Sequence, residues 1–296
     1  MMETGALERI SDRIEQGEPL ADADTRQLTA SGDILTLGSL ADRVRRRRHG
    51  ASTTFLRVAD AAVNAQGAPP AWLAEAREVR LVGPVRSLHD AVQAVGVVAA
   101  AAGTRPVSGL SLAGIRSLAA AEGVPLTAAL QRLRDAGLAS LAEAPVDVLD
   151  DWRAALEAAA AAGLRIARLT IDSPGATVPM LPRVAEACRL AGAGSVFAPL
   201  ARRPGSEPTT GYEDVRSVAL SRLMLDVAHI QVDWRLHGPK LAQVALTVGA
   251  DDVDNVSAGD EHPEGRRRAP LEEILRNIRA AGLEPVERDA AFAPVR

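Results

Sequence analysis

The chain has 296 residues, is 47% apolar, carries a formal net charge of −4, and holds one cysteine and only 2% aromatic residues. Its length suits one large domain or two average ones, with a core mostly of Ala, Val and Leu. So few rings and so balanced a charge argue against a base-stacking platform for nucleic acid. One thiol excludes an internal disulfide and any thiolate-rich zinc or iron–sulphur site, which takes three or four cysteines.

Met1–Pro19 is charged throughout and lacks the apolar run of a secretory signal. No stretch reaches the ~20 apolar residues of a membrane span, so the expected compartment is the cytosol. Residues 1–50 read as an N-terminal helical extension: Ala6–Gln16, Ala21–Ala30 and Asp33–Arg48. The third has a capping Asp33, apolar residues at helical spacing and a stop at His49-Gly50. Its arginines, Arg45 to Arg48, suit the helix dipole and read as a solvated face rather than a nucleic-acid site.

From residue 51 the pattern alternates. Strands are predicted at Thr53–Val58, Val79–Val82, Val107–Leu110, Leu138–Leu141, Arg165–Ile171, Ser195–Pro199, Ile230–Asp233 and Asp252–Val256. The helices between them are Pro69–Ala76, Leu88–Ala102, Ser111–Glu122 with Leu126–Asp135, Asp151–Ala162, Pro182–Ala191, Tyr212–Leu225 and Pro239–Gly249. Eight strands alternating with helices predict an α/β fold with a parallel sheet, closed as a (β/α)8 TIM-type barrel over residues 51–296. An open doubly wound sheet is the alternative. A polar loop, a helix at Leu271–Ala281 and a strand-like tail at Glu284–Asp289 finish the chain.

In such a barrel, chemistry sits at the C-terminal ends of the strands. That rule selects Arg57 and Asp60 from the first strand, Glu143 and Asp147 from the fourth, and Asp172 from the fifth. It selects Asp233 and Trp234 from the seventh, and Asp254 and Asn255 from the eighth. Alternation sends Gln231 and Asp233 to the interior face, where they are costly unless they bind each other, water or a ligand. Lys240 and Gln243 follow Gly238-Pro239 at a helix start, where free backbone donors can face an anion. Thr209-Thr-Gly-Tyr212 brings hydroxyls and the chain's one tyrosine toward the mouth.

Asp251, Asp252 and Asp254 form an acidic cluster, but the spacing is not that of an EF-hand loop, so capping and hydrogen bonding to a hydroxylated ligand are expected rather than a metal. His229 and His237 lie too far apart around a strand end to share a metal, and read as structural. Cys188 reads as a small buried hydrophobe, and Glu287-Arg288-Asp289 as a surface ion network. No phosphate-loop or dinucleotide motif occurs.

Several segments together resemble the radical S-adenosylmethionine enzymes of the futalosine route to menaquinone and the related deazaflavin-cofactor synthase subunit. They are Thr210–Asp226, His229-Ile-Gln-Val-Asp-Trp234, Gly238-Pro-Lys-Leu-Ala-Gln243, Gly249-Ala-Asp-Asp-Val-Asp254, the tail Ala280–Asp289 and the helix Leu35–Gly50. The resemblance implies the barrel, with Gln231, Asp233, Lys240, Gln243, Asp252 and Asp254 facing substrate. Those enzymes carry a C-x3-C-x2-C loop after the first strand; here the chain runs Thr53-Thr-Phe-Leu-Arg-Val-Ala-Asp-Ala-Ala-Val-Asn64 without a cysteine. Neither a cluster nor S-adenosylmethionine is therefore expected as a cofactor.

The expected function is a cluster-free ligand-binding or accessory protein of that route. Its expected partners are a small-molecule menaquinone-pathway intermediate and an enzyme of the pathway. The alternative is non-radical acid/base chemistry on a nucleoside-like or polycyclic acid. Asp60, Glu143, Asp172 and Asp233 would then be catalytic, with Arg57, Tyr212, Gln231, Trp234, Lys240, Gln243, Asp252 and Asp254 binding the ligand.

Overall fold

The computed structural model describes residues 9–14, 16, 18, 20–63, 74–192, 194–203, 210–259 and 270–295. The expected helix Pro69–Ala76 falls mostly outside them, as do Thr209 and most of the polar loop before the last helix.

The strands are β1 (Ser52–Ala62), β2 (Glu78–Val82), β3 (Val107–Ser111), β4 (Leu138–Pro145), β5 (Arg165–Ile166), β6 (Leu169–Thr170), β7 (Val196–Ala198), β8 (His229–Asp233), β9 (Asp252–Ser257) and β10 (Glu284–Glu287). All pairings between them are parallel. The order β1-β2-β3-β4-β6-β7-β8-β9 closes by a β1–β9 pairing, and β5 adds to β4 as the first half of an interrupted strand. This is the eight-stranded closed barrel expected from the sequence, with helices around it.

Those helices are α1 (Asp22–Ala30), α2 (Ile34–His49), α3 (Leu88–Ala102), α4 (Leu112–Ala121), α5 (Leu126–Asp135), α6 (Trp152–Ala161), α7 (Thr177–Ala191), α8 (Gly211–Met224), α9 (Trp234–Thr247) and α10 (Pro270–Ala280). Asp33 caps α2 by accepting from Thr36 N at 3.1 Å. Ser87 caps α3 from Asp90 N at 3.0 Å, and Thr210 with Glu213 forms a capping box on α8. Two helices start earlier than the sequence suggests. Helix α7 begins five residues before Pro182, although the missing proline N–H leaves the Val178 carbonyl without its ladder donor. Helix α9 begins directly at Trp234 and kinks at Gly238, whose φ of 76° precedes Pro239. None of the described helices is long and apolar enough to cross a membrane.

The N-terminal helices share one hydrophobic core with the barrel: Leu28, Leu37 and Leu40 are buried together with Val218, Val232 and Val253. The arginine run is a solvated face only in part: Arg46, Arg47 and Arg48 are exposed, yet the run also makes fixed contacts. Arg45 is fully buried against Asp42, Arg47 donates to the Ile14 carbonyl, and Arg48 reaches Asp226 and the Val227 carbonyl. The run ties α2 to its neighbours.

The C-terminal tail also departs from the expected surface network. Strand β10 pairs with the first half of β1, Ser52 to Phe55, while β2 pairs with its second half, Val58 to Ala62. The tail is thus a wedge between β1 and β2 at the N-terminal end of the barrel, and it drives Arg288 into the interior, 2% exposed. Arg288 clasps Asp252 through Nε and Nη2 at 2.6 and 2.8 Å. Glu287 accepts from Arg57 and Arg77 at 2.9 and 2.7 Å. Beyond them Arg165 holds the Ala290 carbonyl, and Phe292 stacks on His229 with centroids 4.2 Å apart. With anchors on β1, β5 and β8, the tail spans the N-terminal face.

Candidate functional site at the barrel mouth

At the C-terminal ends of the strands lies a depression of ≈490 Å³. Its walls bring together Glu143 at the end of β4, Asp172 after β6, Arg202 and Arg203 after β7, Asp233 at the end of β8 and Asn255 on β9. Gly109 places the β3 side of the rim. A Cβ there would lie 2.7 Å from Leu81 Cβ, and its φ of 152° suits only glycine, so β3 can approach β2 closely before Ser111 turns into the mouth. The arginine loop is strapped to the end of β6 by Arg202 N donating to the Ile171 carbonyl and Arg203 N to the Asp172 carbonyl. Asp147 fixes the adjoining turn by accepting from the Asp172 and Ser173 amides, both at 2.9 Å.

Four of the predicted acids at this end, Asp60, Glu143, Asp172 and Asp233, have a guanidinium partner. Arg202 lies between Glu143, 2.5 Å from its Nε, and Asp233, 3.1 Å from its Nη2. Arg203 Nε is 2.8 Å from Asp172, and Arg235 grips Asp60 with both terminal nitrogens. Asp233 also caps α9, accepting from the Arg235 and Leu236 amides at 3.1 and 3.0 Å, and accepts from Asn255 Nδ2 at 3.0 Å. Burial pushes the Asp233 carboxyl upward, but Arg202 and Arg168 more than offset it and hold it below its ordinary value. A carboxylate so fixed is a poor proton carrier. Asp172 differs: burial raises its carboxyl despite the Arg203 charge, with Glu143 and Asp147 adding to the rise. Among the residues that line the depression, Arg202 Nη1 and Asn255 Oδ1 are buried without a partner in the described residues.

Of the residues selected from the sequence, Asp60, Glu143, Asp172 and Asp233 reach the mouth. Four others lie deeper in the barrel. Arg57 pairs with Glu287 and Glu75, Gln231 donates to Asp252 at 2.7 Å, Asp252 holds Arg288, and Asp254 holds Arg80 and Arg168. Asp252 and Asp254 therefore bind arginines in the resting protein, rather than presenting free carboxylates to a hydroxylated ligand. The rest lie outside the depression. Trp234 is buried in the core, Lys240 is exposed on α9 with Gln243 half-buried beside it, and Tyr212 donates to the Gly32 carbonyl, joining α8 to the turn before α2.

Sequence reasoning missed the arginines. Arg202 and Arg203 follow the end of β7 by a few residues, so the strand-end rule would have found them had it been carried into the first residues of the loop after that strand. Asp251 was assigned to an acidic cluster, yet it turns from Asp252 and Asp254 to the N-terminal face, where one ligand atom each of His49, His229 and Asp251 lies within 4.8 Å of the others. Arg222 pairs with the same carboxylate and the Ile230 amide donates to it, so a cation there would compete with a guanidinium.

Residues 199–295 match a family model described as the CofH/MqnC C-terminal region. The aminodeoxyfutalosine synthase of Thermus thermophilus is 42% identical over 107 residues, 33% of this chain and 28% of that protein. The enzyme of the same name from Streptomyces coelicolor is 24% identical in an alignment spanning 100% of this chain and 95% of its own length. Among solved structures, methylornithine synthase superposes with a TM-score of 0.65 over 93% of this chain and 97% of its own, at 14% identity, a likeness of fold alone. The chain is thus similar to aminodeoxyfutalosine synthases, most strongly in its C-terminal third, in keeping with the resemblance that its sequence carries.

Proposed function

We propose that this protein is a cluster-free member of the futalosine-route barrel group that binds an anionic, nucleoside-like intermediate of menaquinone synthesis at its mouth. The carrying observation is the arginine set around the depression. Arg202, Arg203 and Arg235 neutralise the acids there, and the Arg203 side chain is 71% exposed, free to exchange Asp172 for a ligand carboxylate. The donor set does not fit an iron–sulphur cluster. Cys188 is the one cysteine of the chain, is buried on α7, and burial pushes its thiol up to about 11. A cluster of that kind takes three or four thiolates.

Asp172 favours a second reading, acid/base catalysis, because its carboxyl is raised within a solvent-reachable depression. Thermal unfolding against aminofutalosine, dehypoxanthine futalosine and its cyclised product tests the binding reading. A ligand at a hundred times its dissociation constant adds about 2.7 kcal/mol, a rise of roughly 5–10 °C for a chain of this size. No rise with any of the three would sink it. Turnover by wild type that is lost in Asp172→Asn, with binding retained, would favour the second reading.

A further inference from the structure

We propose that the barrel carries a second site, for a small oxyanion, at the end opposite the mouth. A cavity of ≈260 Å³ lies between the C-terminal tail and the barrel interior, lined among others by Glu78, Arg80, Arg168, Gln231, Asp254 and Arg288. It opens on the N-terminal face past small side chains such as Ala191, Gly194 and Ala228. One water occupies about 30 Å³ of liquid, so several non-hydrogen atoms fit. Ligand pockets for drug-sized molecules start at about 300 Å³, so the cavity is of a size for a small ligand.

The walls carry one positive charge more than negative ones, and the surplus lies at Arg165, which is exposed at the N-terminal face. Four arginines line the cavity, Arg80, Arg165, Arg168 and Arg288, against two acids, Glu78 and Asp254. Asp252, which clasps Arg288, offsets one more. The pairing is uneven as well. Arg80 is fully engaged, by Glu78 and by both oxygens of Asp254. Among the described residues Arg168 reaches only the Asp254 oxygen that Arg80 Nη1 already uses, and Gln231 Oε1 at 3.3 Å. Its Nε is buried without a partner among the described residues, and the whole residue is 3% exposed.

A buried guanidinium with so little compensation is costly. Burial, with Arg80 and Arg202 nearby, lowers its affinity for its proton. An oxyanion in the cavity supplies the missing acceptor and cancels the excess charge. Because Arg288 enters from the tail, the same anion ties the tail to the barrel wall.

Calorimetric titration of the full chain with inorganic phosphate, oxalate and malonate, in chloride at matched ionic strength, tests the site. Saturable single-site binding by at least one is expected; phosphate alone or the carboxylates alone identifies which oxyanion it takes. Arg168→Gln should weaken binding roughly tenfold or more, the loss of one charge-assisted hydrogen bond. Ala191→Phe should block the opening without altering any charge, and it carries the test if Arg168→Gln does not fold. Absence of saturable binding in the wild type overturns the proposal. So does binding that survives either substitution in a folded protein, because the anion would then sit elsewhere.

Discussion

Toward the N-terminal end of the barrel, Arg80, Arg168 and Arg288 with Asp252 and Asp254 are all nearly inaccessible to solvent, whereas at the mouth Arg203 stands mostly in water and Arg235 and Asp60 are about one-third exposed. The residue types are the same, and the difference lies in what happens when a partner leaves. Inside, an abandoned guanidinium has no water to turn to, so each pair fixes strand register and holds the tail. At the mouth an abandoned arginine is resolvated at little cost, so its carboxylate can give way to a ligand.

The largest test of this contrast is Asp254→Asn, which weakens the compensation of Arg80 and Arg168 together. It should destabilise by about 3–5 kcal/mol, read from urea midpoints; a cost below about 1 kcal/mol would erase the distinction between the two ends. Next comes the acid limb. Burial opposes ionisation of Asp254, but Arg168 and Arg80 hold its carboxyl far below the ordinary value. Its stabilisation is therefore fully present above the unfolded value of about 4 and is lost as pH falls below that. Roughly 2 kcal/mol should disappear between about pH 4 and pH 2, a slope that calorimetry at stepped pH would show.

Smaller effects belong to the mouth. Arg203→Ala should change stability by less than about 1 kcal/mol yet abolish the thermal shift with an anionic pathway ligand. Loss of both together would mean that the arginine is structural. Asp172 should give the smallest change, with a sign opposite to Asp254. Its raised carboxyl makes its ionisation unfavourable to folding, so its contribution to stability declines as pH rises from the unfolded value through the higher folded one. Asp172→Asn should accordingly compare best with wild type above that range, as measured by melting temperature against pH.

Much of the architecture was legible. All eight barrel strands fall where short branched runs placed them, because a parallel strand covered by helices must be apolar on its outer face. Helices Leu88–Ala102 and Leu126–Asp135 match to the residue, where Ser87 and Gly103 or Pro125 and Gly137 punctuate the chain. The failures have identifiable causes. Pro182 and Pro239 looked like starts, but tertiary packing carried both helices through them. Arg45 and Arg288 looked solvated because polarity in the sequence does not reveal whether a partner waits in the fold.

The pattern of Gln231 and Asp233 facing inward was readable from alternation alone. Which arginine meets which acid was not. Arg80 finds Asp254 across 174 positions and Arg57 finds Glu287 across 230. Periodicity is a property of neighbouring residues and is set by backbone geometry, so the sequence determined the barrel and the inward face of each strand. Charge pairing depends on closure of the ring and insertion of the tail, which bring side-chain atoms of residues far apart in sequence within 3 Å, and only the tertiary structure decided it.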